Sequence, residues 1–102
     1  MDFKTNKPIY QQIIDYCFNK VLAQEWSEDA KVPSVRELAL ELSVNTHTVL
    51  KAYEYLQDEE IIYAKRGLGF FLATDALSRV NTARREEFYE TTDDDLSEEI
   101  TE

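Results

Sequence analysis

Residues 32–53 of the chain read VPSVRELALELSVNTHTVLKAY, and this stretch decides the fold. Its first half predicts a short helix after Ser34, because Ser followed three residues later by Glu37 is the pattern of a capping box. Its second half predicts another helix from about residue 46, with Asn45 as the N-cap. Two short helices joined by about three residues indicate a helix-turn-helix.

The apolar residues of both helices fall on one face, as packing of the two helices against a core requires. They are Val35, Leu38, Ala39 and Leu42, then Val44 in the turn, then Val49, Ala52, Tyr53 and Leu56. The small Ala39 stands where the two helices must cross closely. The other positions of the second helix therefore face outward, where short hydrogen-bonding side chains suit the base edges and phosphates of a DNA major groove.

The outward positions of the second helix, together with two residues at the start of the first helix, give a set of candidate DNA contacts. The set comprises Ser34, Arg36, Asn45, Thr46, His47, Thr48 and Lys51. Two alternatives remain open at this point. Asn45 and Thr48 would serve only as helix caps and the other outward residues would form a solvated face, or Arg36 would form an ion pair with Glu37 or Glu41 rather than meet a phosphate.

A β-hairpin is predicted directly after the second helix, with strands over residues 61–64 and 70–73. A helix-turn-helix followed by a hairpin is the order of elements in a winged helix. Lys65, Arg66 and Gly67 at the hairpin tip are further candidate DNA contacts, because Arg enters minor grooves and Gly lets the backbone approach a phosphate. The alternative is a type I′ or II′ turn with solvated basic residues.

Helices are also predicted on both sides of this unit. Pro8 suits a first helical turn, and apolar residues spaced by three and four predict an amphipathic helix over about residues 8–24. Residues 25–33 are predicted to be a loop. A last helix is expected from Thr74 or Asp75. The predicted fold class is therefore mainly α with a small β-hairpin: a winged helix-turn-helix over residues 1–73, and a short, helical, acidic dimerisation tail over residues 74–102.

The charge distribution does not exclude nucleic acid. The 102 residues carry 11 basic and 21 acidic side chains, for a net charge of −10. Nine of the acids lie beyond residue 85, where there is no base, so residues 1–85 hold 11 bases against 12 acids. The relevant question is whether the bases of this near-neutral part share a face.

Several function classes are disfavoured by composition. One histidine, one cysteine (Cys17) and no glycine-rich phosphate loop leave no set of residues for an enzyme, a cofactor or a cysteine-rich metal site. The acidic run at 93–95 is expected to be a solvated tail rather than a metal site. No apolar run approaches about 18 residues and no secretory signal is visible, so no membrane association and a cytoplasmic location are expected.

Four segments in this order resemble the GntR family of bacterial transcriptional regulators. They are PIYQQI (8–13), VPSVRELA (32–39), VNTHTV (44–49) and RGLGFF (66–71), and the resemblance extends over residues 8–73. The short C-terminal part looks most like the small YtrA-type branch. The resemblance implies a winged-helix repressor that binds a palindromic operator in double-stranded DNA as a homodimer.

The resemblance also implies roles for single residues. Arg36 matches the phosphate-binding arginine of the family, and residues 45–48 lie where its recognition helix meets DNA. Lys51 matches a basic position one turn later, and Arg66 with Gly67 matches the wing tip. The sequence departs from the family at Thr46, where many relatives have Arg or Pro, and at Leu50, where other branches have Arg.

The C-terminal part is expected to pair two subunits through Leu77, Val80 and Phe88, with packing on the first helix of the same chain as the alternative. A tail this short cannot enclose a ligand pocket of usual size. Any small-molecule effector is therefore expected at the dimer interface or near the acidic residues. The alternative function is a winged-helix protein–protein interaction module, in which the acidic charge meets a basic partner.

Overall fold

A computed structural model describes residues 7–85 of the chain. The elements are α1 (Ile9–Leu22), α2 (Val35–Leu42), α3 (Thr46–Asp58), β1 (Ile62–Lys65) and β2 (Gly69–Leu72), and residues 76–85 form a further helix, α4. The helix-turn-helix followed by a hairpin confirms the predicted winged-helix fold class. The predictions for Phe88 and for the acidic run at 93–95 lie outside the described residues.

The core is centred on α3, which packs against α1, α2 and the hairpin. The predicted inner face is confirmed, because Val49, Ala52, Tyr53 and Leu56 are all fully buried. The Tyr53 ring meets Phe70 of β2 edge-on, with centroids 5.2 Å apart. Its hydroxyl donates a hydrogen bond of 2.7 Å to the Pro33 carbonyl, so this buried polar group is satisfied. Burial raises the pKa of the Tyr53 phenol far above its usual value.

Helix α1 supplies the opposite wall of the core through an apolar stripe. Its buried residues are Ile13, Ile14, Cys17, Phe18 and Val21. Pro8 is the N-cap rather than the first helical residue, and Gln24 adopts a left-handed φ of 61° just past the C-cap. This conformation ends the helix slightly before the predicted residue 24. Burial raises the pKa of the Cys17 thiol to about 12, so this cysteine is a packing residue.

The caps of the helix-turn-helix are those that the sequence predicts. The Glu37 amide donates to Ser34 Oγ at 3.0 Å, and the Ser34 amide donates to Glu37 Oε1 at 2.9 Å. Asn45 Oδ1 accepts from the His47 amide at 2.7 Å. Between the helices, Ser43 adopts a left-handed φ of 59°. The chain therefore reverses within a few residues, and α2 packs against α3 with the small Ala39 buried.

The wing contains a third strand-like segment that the loop prediction for residues 25–33 missed. Lys31 forms an isolated antiparallel bridge with Phe71, and the amide of Leu72 donates to the Ala30 carbonyl at 2.9 Å. The hairpin itself pairs Ile62 with Leu72 and Lys65 with Gly69 at its two ends. The edge of β2 is therefore covered by chain from before α2.

Each predicted strand is displaced by one residue. The Ile61 amide donates to the Leu56 carbonyl at 2.8 Å, so this amide is bonded back to α3 and β1 begins only at Ile62. At the other end the pairing extends to Lys65 and Gly69, closer to the turn than expected.

The turn type also differs from the alternative considered above. The Leu68 amide donates to the Lys65 carbonyl at 2.8 Å, and Gly67 has a φ of +76°. Types I′ and II′ require a positive φ at the first central residue, Arg66, which does not have one. The positive φ at the second central position is the pattern of a type II turn.

Helix α4 contributes three residues to the core. Ala76, Val80 and Ala83 are buried. Arg79 fixes the helix from outside through ion pairs of 3.1 Å with Glu60 and 3.2 Å with Asp75. None of the helices described over residues 7–85 is long and apolar enough to cross a membrane.

Candidate nucleic-acid interface

The N-terminal half of α3 presents the face opposite to its buried stripe. Asn45, Thr46, His47 and Lys51 are exposed, and Thr48 is half-buried. The predicted contacts of this helix therefore lie together at the protein surface, as an element that enters a groove requires.

Asn45 and Thr48 differ in how far they are committed to capping. Asn45 uses Oδ1 to cap α3, which leaves its amide nitrogen for another partner. The Thr48 side chain makes no capping bond among the described residues, and its backbone amide donates to the Asn45 carbonyl at 3.1 Å. Ser34 is half-buried, and its Oγ is part of the capping box.

Arg36 is exposed in the first turn of α2, and both carboxylates offered as its partners are engaged elsewhere. Glu37 closes the capping box. Glu41 Oε2 accepts a hydrogen bond of 2.5 Å from the Tyr16 hydroxyl of α1. Within the described part of the chain, Arg36 makes no ion pair. Its guanidinium is therefore available to an external anion.

Lys51 has an aromatic partner that the sequence did not indicate. Its Nζ lies 4.2 Å from the centroid of the Tyr10 ring, within the range of a cation–π interaction. Tyr10 lies in the first turn of α1 and is half-buried. In the sequence, the position of Tyr10 outside the apolar stripe of α1 was the available signal that it has a role other than core packing. The sequence could not identify its partner, because Lys51 lies 41 residues away along the chain. The contact places α1 beside the exposed face of α3.

The wing carries three cations close to its tip. Lys65 Nζ lies 4.5 Å from the Phe71 ring centroid, and Arg66 is exposed in the turn beside Gly67. The third cation, Lys31, was missed by sequence analysis. Its side chain lies against Gly69, since a Cβ added at Gly69 would be only 2.9 Å from Lys31 Cε. None of the three cations forms an ion pair with another residue of the described range. The wing tip is therefore a positively charged surface.

The positive surface ends part of the way along α3. Glu54 and Asp58 follow Lys51 on the exposed side of the helix. Carboxylates at these positions repel phosphates, so only the N-terminal half of α3 suits a polyanion. At no point in residues 7–85 do three potential metal-ligating side chains come together.

The predicted dimer contacts do not form one exposed patch. Val80 is fully buried in the core of its own chain, so its side chain has no surface to offer a second subunit. Leu77 is half-buried and packs on the edge of the same core. Val80 is therefore a core residue of its own chain, and Leu77 is the remaining described candidate for a dimer contact.

Comparison with known proteins places this geometry in a family. The sequence profile described as "Bacterial regulatory proteins, gntR family" matches residues 9–72. The HTH-type transcriptional repressor YtrA of Bacillus subtilis is 40% identical over 76 residues, which cover 74% of this chain and 58% of that protein. The chain spans about three fifths of the length of YtrA and of a second Bacillus subtilis regulator, YhcF, and a much smaller share of several longer relatives.

Solved structures have the same fold. A GntR family transcriptional regulator from Listeria monocytogenes superposes with a TM-score of 0.76 at 33% identity, covering 96% of this chain and 86% of that one. AraR(DBD), solved in complex with operator ORR3, superposes with a TM-score of 0.64 at 26% identity over 72% of this chain and 88% of that one. These are regulators and not enzymes. The chain accordingly belongs to the GntR family of bacterial transcriptional regulators, in its YtrA-like branch.

Proposed function

We propose that the protein binds a palindromic DNA operator as a homodimer and represses transcription by occupying it. The observation that carries the proposal is the set of exposed groups without an ion pair: the guanidinium of Arg36 in the first turn of α2, and three further cations on the wing, together with the exposed N-terminal half of α3. Two relatives support it: AraR(DBD) is solved on an operator, and YtrA of Bacillus subtilis is a repressor by name.

Each element has a distinct part in this mode of binding. The N-terminal half of α3 lies in the major groove, where Thr46, His47 and the Asn45 amide contact base edges. Arg36 neutralises a phosphate beside that groove and fixes the register. The wing tip, with Arg66 and Gly67, follows the backbone into the adjacent minor groove.

Two copies are needed for a palindrome. Their recognition helices match half-sites separated by one DNA turn of about 34 Å, or a multiple of it. We assign pairing to the C-terminal tail over residues 74–102, with Leu77 as a contact. A small-molecule effector bound between the subunits would act by changing the separation of the two α3 helices, and the protein would work in the cytoplasm.

The charge distribution suits such a regulator. Residues 1–85 are nearly neutral and include the exposed cations of α2 and the wing, whereas the acidic residues beyond them disfavour non-specific attachment to polyanions. Affinity should therefore fall steeply with salt, since each neutralised phosphate contributes about −0.9 to the slope of log K against log salt.

In vitro selection from a random duplex pool tests the proposal. We expect enrichment of an inverted repeat, with protection of both half-sites. Arg36→Ala should weaken the enrichment, and Lys20→Ala should not, because Lys20 is paired with Glu25 at the far end of α1. Enrichment of an asymmetric single site would contradict the dimer. Absence of enrichment, together with capture of a basic protein, would favour the protein-interaction alternative.

A further inference from the structure

Leu50 is an apolar side chain on the polar face of α3. It is 40% exposed, and its helical neighbours Thr46, His47 and Glu54 are exposed too. Of the large hydrophobic residues exposed within residues 7–85, it alone lies on this face. Leu50 is not one of the buried residues that form the core.

The position of Leu50 on the helix determines what it can meet. Residues three and four apart in a helix are surface neighbours, so Leu50 stands beside Thr46 and His47. Helical side chains lean toward the N-terminus, so Leu50 covers the turn that these two residues form. It is therefore in the middle of the group of side chains that the proposed function places against base edges.

Leucine neither donates nor accepts a hydrogen bond, so it distinguishes bases only by apolar contact. In the major groove, the apolar group on the edge of an unmodified base pair is the C5 methyl of thymine. We propose that Leu50 selects thymine at one position of each half-site by packing against this methyl group. The inference rests on the proposed function, because it requires the N-terminal half of α3 to lie in the major groove.

The test removes one methyl group at a time from the selected operator. Each thymine is replaced in turn by deoxyuridine, which keeps the base pair and loses only the methyl, and affinity is measured by fluorescence anisotropy at fixed salt. We expect one symmetry-related pair of thymines whose replacement weakens wild-type binding about fourfold per half-site, the effect of exposing one buried methyl group.

The variant Leu50→Ala identifies the protein side of the contact. It should bind the thymine operator more weakly than the wild type does, and it should show no further loss when deoxyuridine replaces the critical pair. Leu50→Met, which keeps an apolar chain of similar length, should recover most of the sensitivity. Leu40→Ala is the matched control, because Leu40 is 76% exposed on α2 outside the proposed interface and should keep the full wild-type response.

We expect each Leu50 variant to fold, because Leu50 is exposed, and circular dichroism checks this. Selection of an operator whose thymines are all insensitive to deoxyuridine would overturn the inference. So would a Leu50→Ala variant that responds to deoxyuridine as the wild type does. Either result leaves the proposed function intact, whereas failure to select any duplex refutes both.

Discussion

The two parts of the proposed DNA surface differ in what they offer a duplex. The N-terminal half of α3 presents mainly short hydrogen-bonding groups and one lysine, and it is bounded by Glu54. The wing presents Lys31, Lys65 and Arg66 with no acidic partner in the described range. Hydrogen bonds to base edges distinguish sequences, whereas cations on phosphates do not. The comparison therefore assigns specificity to the helix and general affinity to the wing.

Removing the wing cations should have the largest effect. We expect the triple variant Lys31→Ala, Lys65→Ala, Arg66→Ala to lose about a hundredfold or more in affinity near 0.1 M salt, on operator and random duplex alike. The slope of log K against log salt should become shallower by about 2.7, at about 0.9 per phosphate contact. Anisotropy titrations over a salt series measure both quantities. A loss of affinity confined to the operator would show that the wing, rather than α3, carries the sequence specificity.

Truncating the recognition helix should give a smaller and sequence-dependent effect. His47→Ala is expected to weaken operator binding by about 1–3 kcal/mol, the range for one base contact, and to leave random duplex binding and the salt slope unchanged. The measurement is the ratio of specific to non-specific affinity. An equal loss on both duplexes would show that His47 contacts a phosphate instead.

Asn45 allows capping and DNA contact to be separated. Asn45→Ala should lower the free energy of unfolding by about 1 kcal/mol, because α3 loses its cap. Asn45→Asp keeps a capping oxygen and adds a negative charge, so it should retain stability and weaken DNA binding. Urea denaturation and anisotropy measure the two effects. An Asn45→Asp variant that binds DNA as well as the wild type would place this side chain away from the duplex.

The Tyr10–Lys51 contact should give the smallest change. Tyr10→Leu removes the ring that holds Lys51, and affinity should fall by about 0.5–1 kcal/mol, the size of an exposed cation–π interaction. Tyr10→Phe keeps the ring and should bind as the wild type does. In a Lys51→Ala background, Tyr10→Leu should have no further effect. A persisting effect there would mean that Tyr10 acts on DNA or on folding without Lys51.

The features predicted correctly from the sequence depend on residues close together in the chain. The capping box joins Ser34 to Glu37, and the cap of α3 joins Asn45 to His47. A bond between residues two or three apart depends little on the rest of the molecule. The same locality explains why the buried stripes of α1 and α3 follow from apolar spacing alone.

The features that were missed join distant residues. The bridge from Lys31 to Phe71 gives residue 31 a strand-like role. The residues around Lys31 do not reveal this role, because its partner is 40 residues away along the chain. Val80 combines an apolar side chain with a helical spacing that suits either a core or a dimer contact, and only the packing of α4 distinguished them. The type of the wing turn is a local exception, since it depended on which of the two central residues, Arg66 or Gly67, took the positive φ, and this was Gly67.

The sequence by itself determined the order of helices and strands, the caps and the inner face of the helix-turn-helix, because short-range hydrogen bonds and the helical period fix them. The tertiary structure decided which charges are free. Arg36 makes no ion pair within residues 7–85. Tyr16 of α1 donates to Glu41, one of the two carboxylates offered as partners of Arg36, and Tyr10 holds Lys51 beside α3. These pairings exist only once packing brings α1 against α2 and α3, and they determine which cations remain for DNA.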